Sequence, residues 1–554
     1  MIPADMQGQP LANWPLDQLC VHRVWAHHVL AQPEKIFLTE LSTGRQWTYQ
    51  SFDAWTNQIT NALQTCRVKH GSHVGIWMDN SAEQWAIFIA IAKLGAVAVP
   101  INTAARGQLL QYYLSHADIE TLIIDEEKIR WLKPIANDLP KLQSLLKIGN
   151  QIITDIDFNS IDVVNFLSIT DTSSTQLIVE NVACHDLLIL SYTSGTTGPS
   201  KASMLSQAAA LSYATGGLQA HGFLASDVVY VCLPLFHNNA LLTGSLTALM
   251  TGSSIALATR FSVSGFWREI RQSGATVTNL LGAMSSLLWA TPAQADDASN
   301  TLRLISMSPI VSFVNEFEKR FDVCVVSNYG LSDFATVLSL TKDAPIEKRK
   351  SIGKPRSYYQ AQVVDDNDME CANGVVGELV LRSLEPWRAA TSYYKMPEET
   401  TRANRNQWFH TGDRAYADSD GYYWFVDRKK DCIRRRGENI SAFEVEQIIL
   451  SHTCIAQVAV FPVSMAEGDE EVGAAIVWRE NQPSTELELI QFCAQQMAYY
   501  MVPRFVKVMD ELPVTINQKI EKYKIKQRFE ADTNSLWDTT QHLQIKRDTI
   551  ALLP

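Results

Sequence analysis

Short apolar runs alternate with helix-like segments over roughly the first 350 residues, and this rhythm constrains the fold more than any other feature. Residues 74–77 read as a strand, 82–94 as a helix, 96–100 as a strand, 108–115 as a helix and 121–124 as a strand. Strand-helix-strand repetition of this kind predicts a parallel sheet in an α/β architecture. Residues 186–190, 228–233 and 276–280 continue the strand series, and the polar stretch 170–175 reads as a loop. From Ser351 the rhythm changes to short β-like runs, 361–364 and 377–381, separated by polar turns, which predicts an antiparallel or barrel-like portion.

Beyond Arg428 the composition shifts again. Lys429, Lys430, Arg434, Arg435 and Arg436 are basic in a chain whose net charge is −12. Residues 458–461 and 473–477 read as strands and 484–497 as a helix, with Thr485 and Glu488 at capping-box spacing. Leu489, Cys493 and Met497 share one face of that helix. A small α+β domain of ~110 residues fits here. There are no repeats and no low-complexity tracts.

Composition excludes several classes. Apolar residues are 46% and charged residues 19%, so the chain has enough apolar surface to form a core. An acidic surface repels nucleic acid. The nine cysteines contain no C-x-x-C pair, which argues against a disulfide scaffold or structural zinc and suits a reducing cytoplasm. Residues 1–15 lack a basic start followed by an apolar core, so no targeting segment is expected. The most apolar stretch, 85–101, is interrupted by Lys93, Gly95 and Pro100 and falls short of the ~20 apolar residues of a membrane span.

The segment most informative about chemistry is 191–206, SYTSGTTGPSKASMLS. Thr193, Ser194, Gly195, Thr196, Thr197 and Gly198 combine glycines, which let backbone N–H groups turn toward an anion, with small hydroxyl donors. Lys201 adds a positive charge. This composition suits a triphosphate cradle, although Gly/Ser/Thr clusters also mark ordinary surface loops. A P-loop places its lysine directly after the second glycine, with Ser or Thr next. Here Lys201 comes three positions after Gly198 and is followed by Ala202, so a P-loop NTPase is disfavoured.

The same segment resembles the signature of the adenylate-forming superfamily, which includes acyl-CoA synthetases, adenylation domains and luciferases. Further motifs follow in that family's order: residues 47–49, KLGAVAVPIN at 93–102, LPLFHNN at 233–239, NYGLSD at 328–333, YYKMPEET at 393–400, HTGD at 410–413 and residues 427–446. The resemblance covers about residues 30 to 525 and is closest to medium/long-chain and carnitine-type acyl-CoA ligases. It implies a large N-terminal domain of stacked α/β sheets plus a distorted β-barrel, and a small mobile α+β C-terminal domain. The expected division is an ATP- and acyl-binding domain over 1–428, a lid domain over 429–540 and a tail over 541–554.

The resemblance also implies roles. Asn328, Tyr329 and Gly330 belong to an adenine motif in which Tyr329 stacks on the base. Ser332 and Asp333 stand where the family has Thr-Glu. Serine keeps a hydroxyl for phosphate and aspartate an oxygen ligand for Mg²⁺, one methylene shorter. Asp413 matches the ribose-binding aspartate, since a carboxylate accepts two hydroxyl hydrogen bonds. Arg428 matches the arginine that closes over the nucleotide, Lys430 and Asp431 the hinge, and Gly437 the segment that approaches the thiol channel. Residues 434–436 read most simply as a solvated basic face, the alternative being contact with the acidic end of CoA. Lys519 aligns with the catalytic lysine, but Gln518 replaces the usual preceding glycine, and Lys522 and Lys524 compete for the role. His237 walls or gates the acyl pocket, with residues 282–284 and 307–309 lining it.

The expected function is therefore ATP-dependent acyl-CoA ligation with ATP, Mg²⁺ and coenzyme A. The partner is a small-molecule carboxylic acid, with an acyl carrier protein or a downstream acyltransferase as further candidates. No nucleic acid and no membrane span are expected, and the chain would act as a monomer or homodimer. Only 30 residues follow Lys524, so no fused carrier domain is expected. The runner-up is a stand-alone adenylating enzyme serving a carrier-protein thiol or an amine. A non-catalytic descendant, suggested by Ala202, Asp333 and Gln518, is third.

Overall fold

A computed structural model describes residues 11, 14–149, 161–176, 181–193, 200–428, 432–435, 438–465, 470–480, 484–497, 499–514, 520–531, 536–546 and 549–552. Two large sheets form the N-terminal part. The first has seven strands in the order Asp162–Asn165, Ser144–Ile148, Thr121–Asp125, His73–Trp77, Val97–Pro100, Leu187–Thr193 and Lys201–Ser206. All neighbours run parallel except the last pair. Strands covered on both faces need near-continuous apolar sequence, as residues 97–100 and 121–124 provide.

The helix Ala82–Leu94 shows how sequence sets a local boundary. Ser81 accepts a hydrogen bond from the Gln84 N–H at 3.2 Å and caps its start. Gly95 ends it at φ 65°, where an added Cβ would meet the His70 ring at 2.4 Å. Every residue of the helix except Glu83 is buried, as expected for a helix apolar all round. Lys93 within it is buried and bonds Asp53, Thr56 and Asn57 at 2.6–2.7 Å, so this lysine serves the core.

The second sheet has nine strands. Its order is Lys354–Pro355, Thr336–Leu340, Cys324–Gly330, Leu304–Ser308, Val277–Leu281, Val228–Val231, Ser254–Leu257, Ile36–Glu40 and Gln46–Thr48. The middle strands, from Cys324–Gly330 to Ile36–Glu40, are parallel. In register, Asn279 lies opposite Ser306 and Leu281 opposite Ser308. The portion after Ser351 is a five-stranded antiparallel sheet built from Tyr359–Val364, Gly377–Ser383, Asn404–Arg405, Trp408–Ala417 and Tyr423–Arg428.

A hairpin, Cys432–Arg435 with Glu438–Ser441, leads to the helix Ala442–Leu450 and a four-stranded sheet with its own core. The capping box at Thr485 and Glu488 forms reciprocally and starts the helix Glu486–Gln496. Ser312 N–H donates to Gln447 Oε1 at 2.9 Å, linking this part to the large one. Among the described residues no helix is long and apolar enough to cross a membrane.

Two expectations are corrected. The stretch 170–175 is not wholly loop, because the helix Phe166–Thr172 runs into it. Asn165 caps that helix, Phe166 is buried, and the Thr170 hydroxyl donates to Phe166 O. Arg435 is not on a solvated face: its side chain is 13% exposed, pairs with Glu471 at 2.5 Å and donates to Tyr500 O.

Candidate active site

The Gly/Ser/Thr segment does not lead into a helix. The strand Leu187–Thr193 enters it and Lys201–Ser206 returns antiparallel, with Thr193 and Lys201 paired across its base. Ser194, Gly195, Thr196, Thr197 and Gly198 lie outside the described residues. A strand after the loop is a different architecture from a P-loop, in accord with the lysine spacing. Residues 391–394 add to the free edge of the returning strand: Tyr394 N–H donates to Ala202 O at 2.8 Å and Met204 N–H to Ser392 O at 2.9 Å.

That pairing places Tyr393 beneath the loop base. Lys201 Nζ lies 4.9 Å from the Tyr393 ring centroid and forms an ion pair with Glu399 at 2.6 Å. The lysine holds the Glu399 carboxyl below the usual carboxylate range. The Tyr393 hydroxyl donates to Asp333 Oδ2 at 2.6 Å, and burial raises its pKa, so it remains a donor. The base of the 193–201 loop and Asp333 are thus tied through one phenol.

Asn328, Tyr329 and Gly330 end the strand Cys324–Gly330. A Cβ at Gly330 would lie 2.6 Å from Ala335 O and from Thr336 Cα, so only glycine fits this bulged pairing. Asn328 Oδ1 accepts from Ser339 Oγ at 2.7 Å, and Asn328 O accepts from Ser308 Oγ at 2.7 Å. Tyr329 Oη donates to Asp413 Oδ2 at 2.6 Å. Asp413 is 3% exposed and stands on the strand Trp408–Ala417, with Arg428 opposite it on the neighbouring strand. Ser332 is exposed, and its carbonyl accepts from Tyr213 Oη at 3.3 Å. The side chain of Arg428 is not described, and Lys430, Asp431, Gly437, Gln518 and Lys519 lie outside the described residues.

These groups border a cavity of about 460 Å³. Tyr329, Gly330 and Asp413 line one end; His237, Asn239, Thr243, Ser306 and Pro309 line another part. Leu281 and Ser308 also line it, but residues 282–284 do not, and Met307 is buried core. The C-terminal part contributes Phe443, Glu446 and Lys522. Lys522 pairs with Glu446 at 2.7 Å, whereas Lys524 pairs with Glu521, so only Lys522 of these two borders the cavity.

Asp333 fits a hard cation. One carboxylate oxygen takes the Tyr393 hydroxyl, and the other makes no hydrogen bond among the described residues. The carboxylate trio Asp79, Asp125 and Glu127 lies elsewhere, and Lys128 bridges Asp79 and Asp125 at 2.7 and 2.9 Å. Tyr393, Glu399, Tyr213 and Ser306 were not anticipated. The first two stand inside the YYKMPEET motif, whose presence was the available signal. Asn239 ends LPLFHNN and opens an unanticipated π-helix, Asn239–Ser245, along the cavity.

The AMP-binding enzyme family matches residues 25–393, and the AMP-binding enzyme C-terminal domain matches residues 444–519. A crotonobetaine/carnitine–CoA ligase of Proteus mirabilis is 32% identical over 504 residues, spanning 88% of this chain and 94% of that protein. The ligase of the same name from Salmonella typhimurium is 29% identical over 497 residues, spanning 87% and 93%. Among solved structures, the anthranilate CoA ligase AuaEII in complex with anthranoyl-AMP superposes with a TM-score of 0.86 at 24% identity, covering 95% of this chain and 100% of that one. ATP-bound MatB from Rhodopseudomonas palustris gives 0.81 at 22% identity, covering 92% and 99%. These structural likenesses establish the fold.

Proposed function

The chain belongs to the AMP-binding enzyme family, and on that premise we propose that it is an ATP-dependent acyl-CoA ligase, an AMP-forming acid–thiol ligase. A carboxylate oxygen attacks the α-phosphorus of ATP, the bond to the β-phosphate breaks, and pyrophosphate leaves. The thiol sulfur of CoA then attacks the acyl carbon, and AMP departs. Near neutral pH the acid is already ionised, so the first step needs charge neutralisation and alignment more than a base.

The observation that carries this reading is the 2.6 Å hydrogen bond from Tyr329 to Asp413, which joins two motifs 84 residues apart at one end of the cavity. There Tyr329 offers a face for adenine, with Asn328 and Gly330 shaping the wall, and Asp413 offers oxygens for ribose hydroxyls. Residues 193–198 and Lys201 receive the phosphates. The Lys201–Glu399 pair is partly exposed, 28% on each side, so exchanging the carboxylate for phosphate costs little. Ser332 supplies a phosphate donor, and Asp333 would hold Mg²⁺, whose charge lowers the cost of bringing anions together. Arg428 closes over the nucleotide. Lys519 reaches the reacting carboxylate and α-phosphate, Gly437 admits the thiol arm, and His237 walls the acyl side.

The relatives' names concern crotonobetaine and carnitine; for this chain the substrate is proposed only as a carboxylic acid. The test is pyrophosphate release with ATP and Mg²⁺ over a panel of acids, with and without CoA. The reading predicts CoA-dependent turnover and an acyl-CoA mass. A single burst without CoA-dependent turnover would instead favour the stand-alone adenylating enzyme with another acceptor.

A further inference from the structure

The strands that carry the nucleotide motifs also carry a second polar layer. Ser308 donates to Asn328 O, next to Tyr329. Side chains alternate along a strand, so Ser306 shares a face with Ser308, about 6–7 Å deeper into the sheet. Asn279 is opposite Ser306 in register, and its Nδ2 donates to Asn239 Oδ1 at 3.1 Å. Asn239 and Thr243 follow each other on one face of the π-helix, whose turn is close to four residues.

These groups have hydrogen-bonding capacity to spare. Ser306 is 6% exposed and lines the cavity, yet its hydroxyl makes no hydrogen bond among the described residues. The Asn239 N–H groups and the Thr243 hydroxyl, on residues that also line the cavity, make none among them either. Ser306 is buried and Asn239 and Thr243 are partly exposed, all facing the cavity, where water serves these groups until a ligand displaces it. Ser306, Asn239, Asn279 and Thr243 are themselves uncharged. The charged residues lining the cavity are Lys350, Asp413, Glu446 and Lys522, on other segments. Ser306, Asn239, Asn279 and Thr243 themselves supply neither an aromatic face nor a carboxylate for a quaternary ammonium group; the aromatics lining the cavity are Tyr213, His237, Tyr329, Phe425 and Phe443.

We propose that the acid selected by this cavity carries a neutral hydrogen-bonding group, a hydroxyl or a primary amide, remote from its carboxylate and received by Ser306, Asn239 and Thr243. This rests on the ligase reading above. A plain alkyl chain would leave the three side chains unsatisfied, and that penalty is the basis of discrimination.

The experiment measures kcat/KM for acyl-CoA formation on matched acids. These are pentanoate, ω-hydroxypentanoate and glutaramate; benzoate and hydroxybenzoates; and trimethylammoniobutyrate. The hydroxyl- or amide-bearing member of at least one set should exceed its plain partner by about ten-fold or more, the scale of one satisfied hydrogen bond. Ser306→Ala should collapse that ratio toward one, and Asn239→Leu should collapse it in a second background. Preference for the plain acids, or for the trimethylammonium acid, would overturn the inference while leaving the ligase reading intact. So would a ratio unmoved in both variants. Absence of CoA-dependent turnover with every acid, the polar ones included, would count against both, because the inference has no site without the reaction.

Discussion

The two ends of the cavity use their polar groups in opposite ways. At the nucleotide end they are spent on one another: Tyr329 on Asp413, Tyr393 on Asp333, Lys201 on Glu399. At the deep end Ser306, Asn239 and Thr243 keep donors in reserve. The first arrangement is preorganised, and only its Lys201–Glu399 pair is partly exposed, so under the proposed reading it is that carboxylate which a phosphate replaces at little cost. The second leaves its donors open to the cavity. On the proposed reading the difference teaches that the reacting end is held by the protein's own hydrogen bonds, while the choice of acid falls to donors that a ligand must meet.

The largest expected effect at the reacting end, outside the pairs just named, is that of Lys519→Ala. It should slow adenylate formation about 100-fold or more, the scale of removing a group that stabilises developing charge. Thioester formation from supplied acyl-AMP should change far less, and stopped-flow assays of the two halves would show it; equal losses would remove Lys519 from its assigned role. Asp413→Ala should weaken apparent ATP affinity by about 10- to 100-fold, as expected for losing hydrogen bonds to a charged group. An unchanged KM for ATP would place the ribose elsewhere. Tyr393→Phe deletes one hydrogen bond to Asp333 and should cost about five-fold, appearing mainly as a higher Mg²⁺ requirement. A loss confined to the acid's KM would contradict that position.

Much of the proposed nucleotide end was legible through contiguous motifs that resemble a known family; without that resemblance Asp413 in HTGD would read as an ordinary turn residue. NYGLSD and HTGD could be read singly, and the structure adds that they meet. The deep end was not legible. Ser306, Asn279 and Asn239 are 27 and 40 residues apart in sequence. They become neighbours only through strand register and a π-helix, neither of which a local pattern encodes. Four strands of the first sheet, His73–Trp77, Val97–Pro100, Thr121–Asp125 and Leu187–Thr193, followed the apolar rhythm, yet their order was not legible and the returning strand Lys201–Ser206 was hidden. Its small and polar residues, KASMLS, read as a continuation of the loop.

The smallest effect near neutral pH lies away from the cavity and serves as a control. His22 and His28, on the helix Val21–Ala31, are held neutral by burial, with pKa values lowered to about 3 from 6.5. Below pH 6.5 the unfolded chain binds protons that the folded one does not, so stability is full above 6.5 and declines as pH falls toward 3. Thermal unfolding should show Tm falling through this window, and His28→Gln should flatten the fall. An unchanged slope would mean that other groups govern acid unfolding.

The central claim is that a carboxylate attacks the α-phosphorus of ATP. The direct measurement follows a heavy-oxygen label from the carboxylate of a turned-over acid. The account predicts one labelled oxygen in AMP, with none in pyrophosphate. Label in inorganic phosphate or pyrophosphate, or formation of ADP, would contradict it.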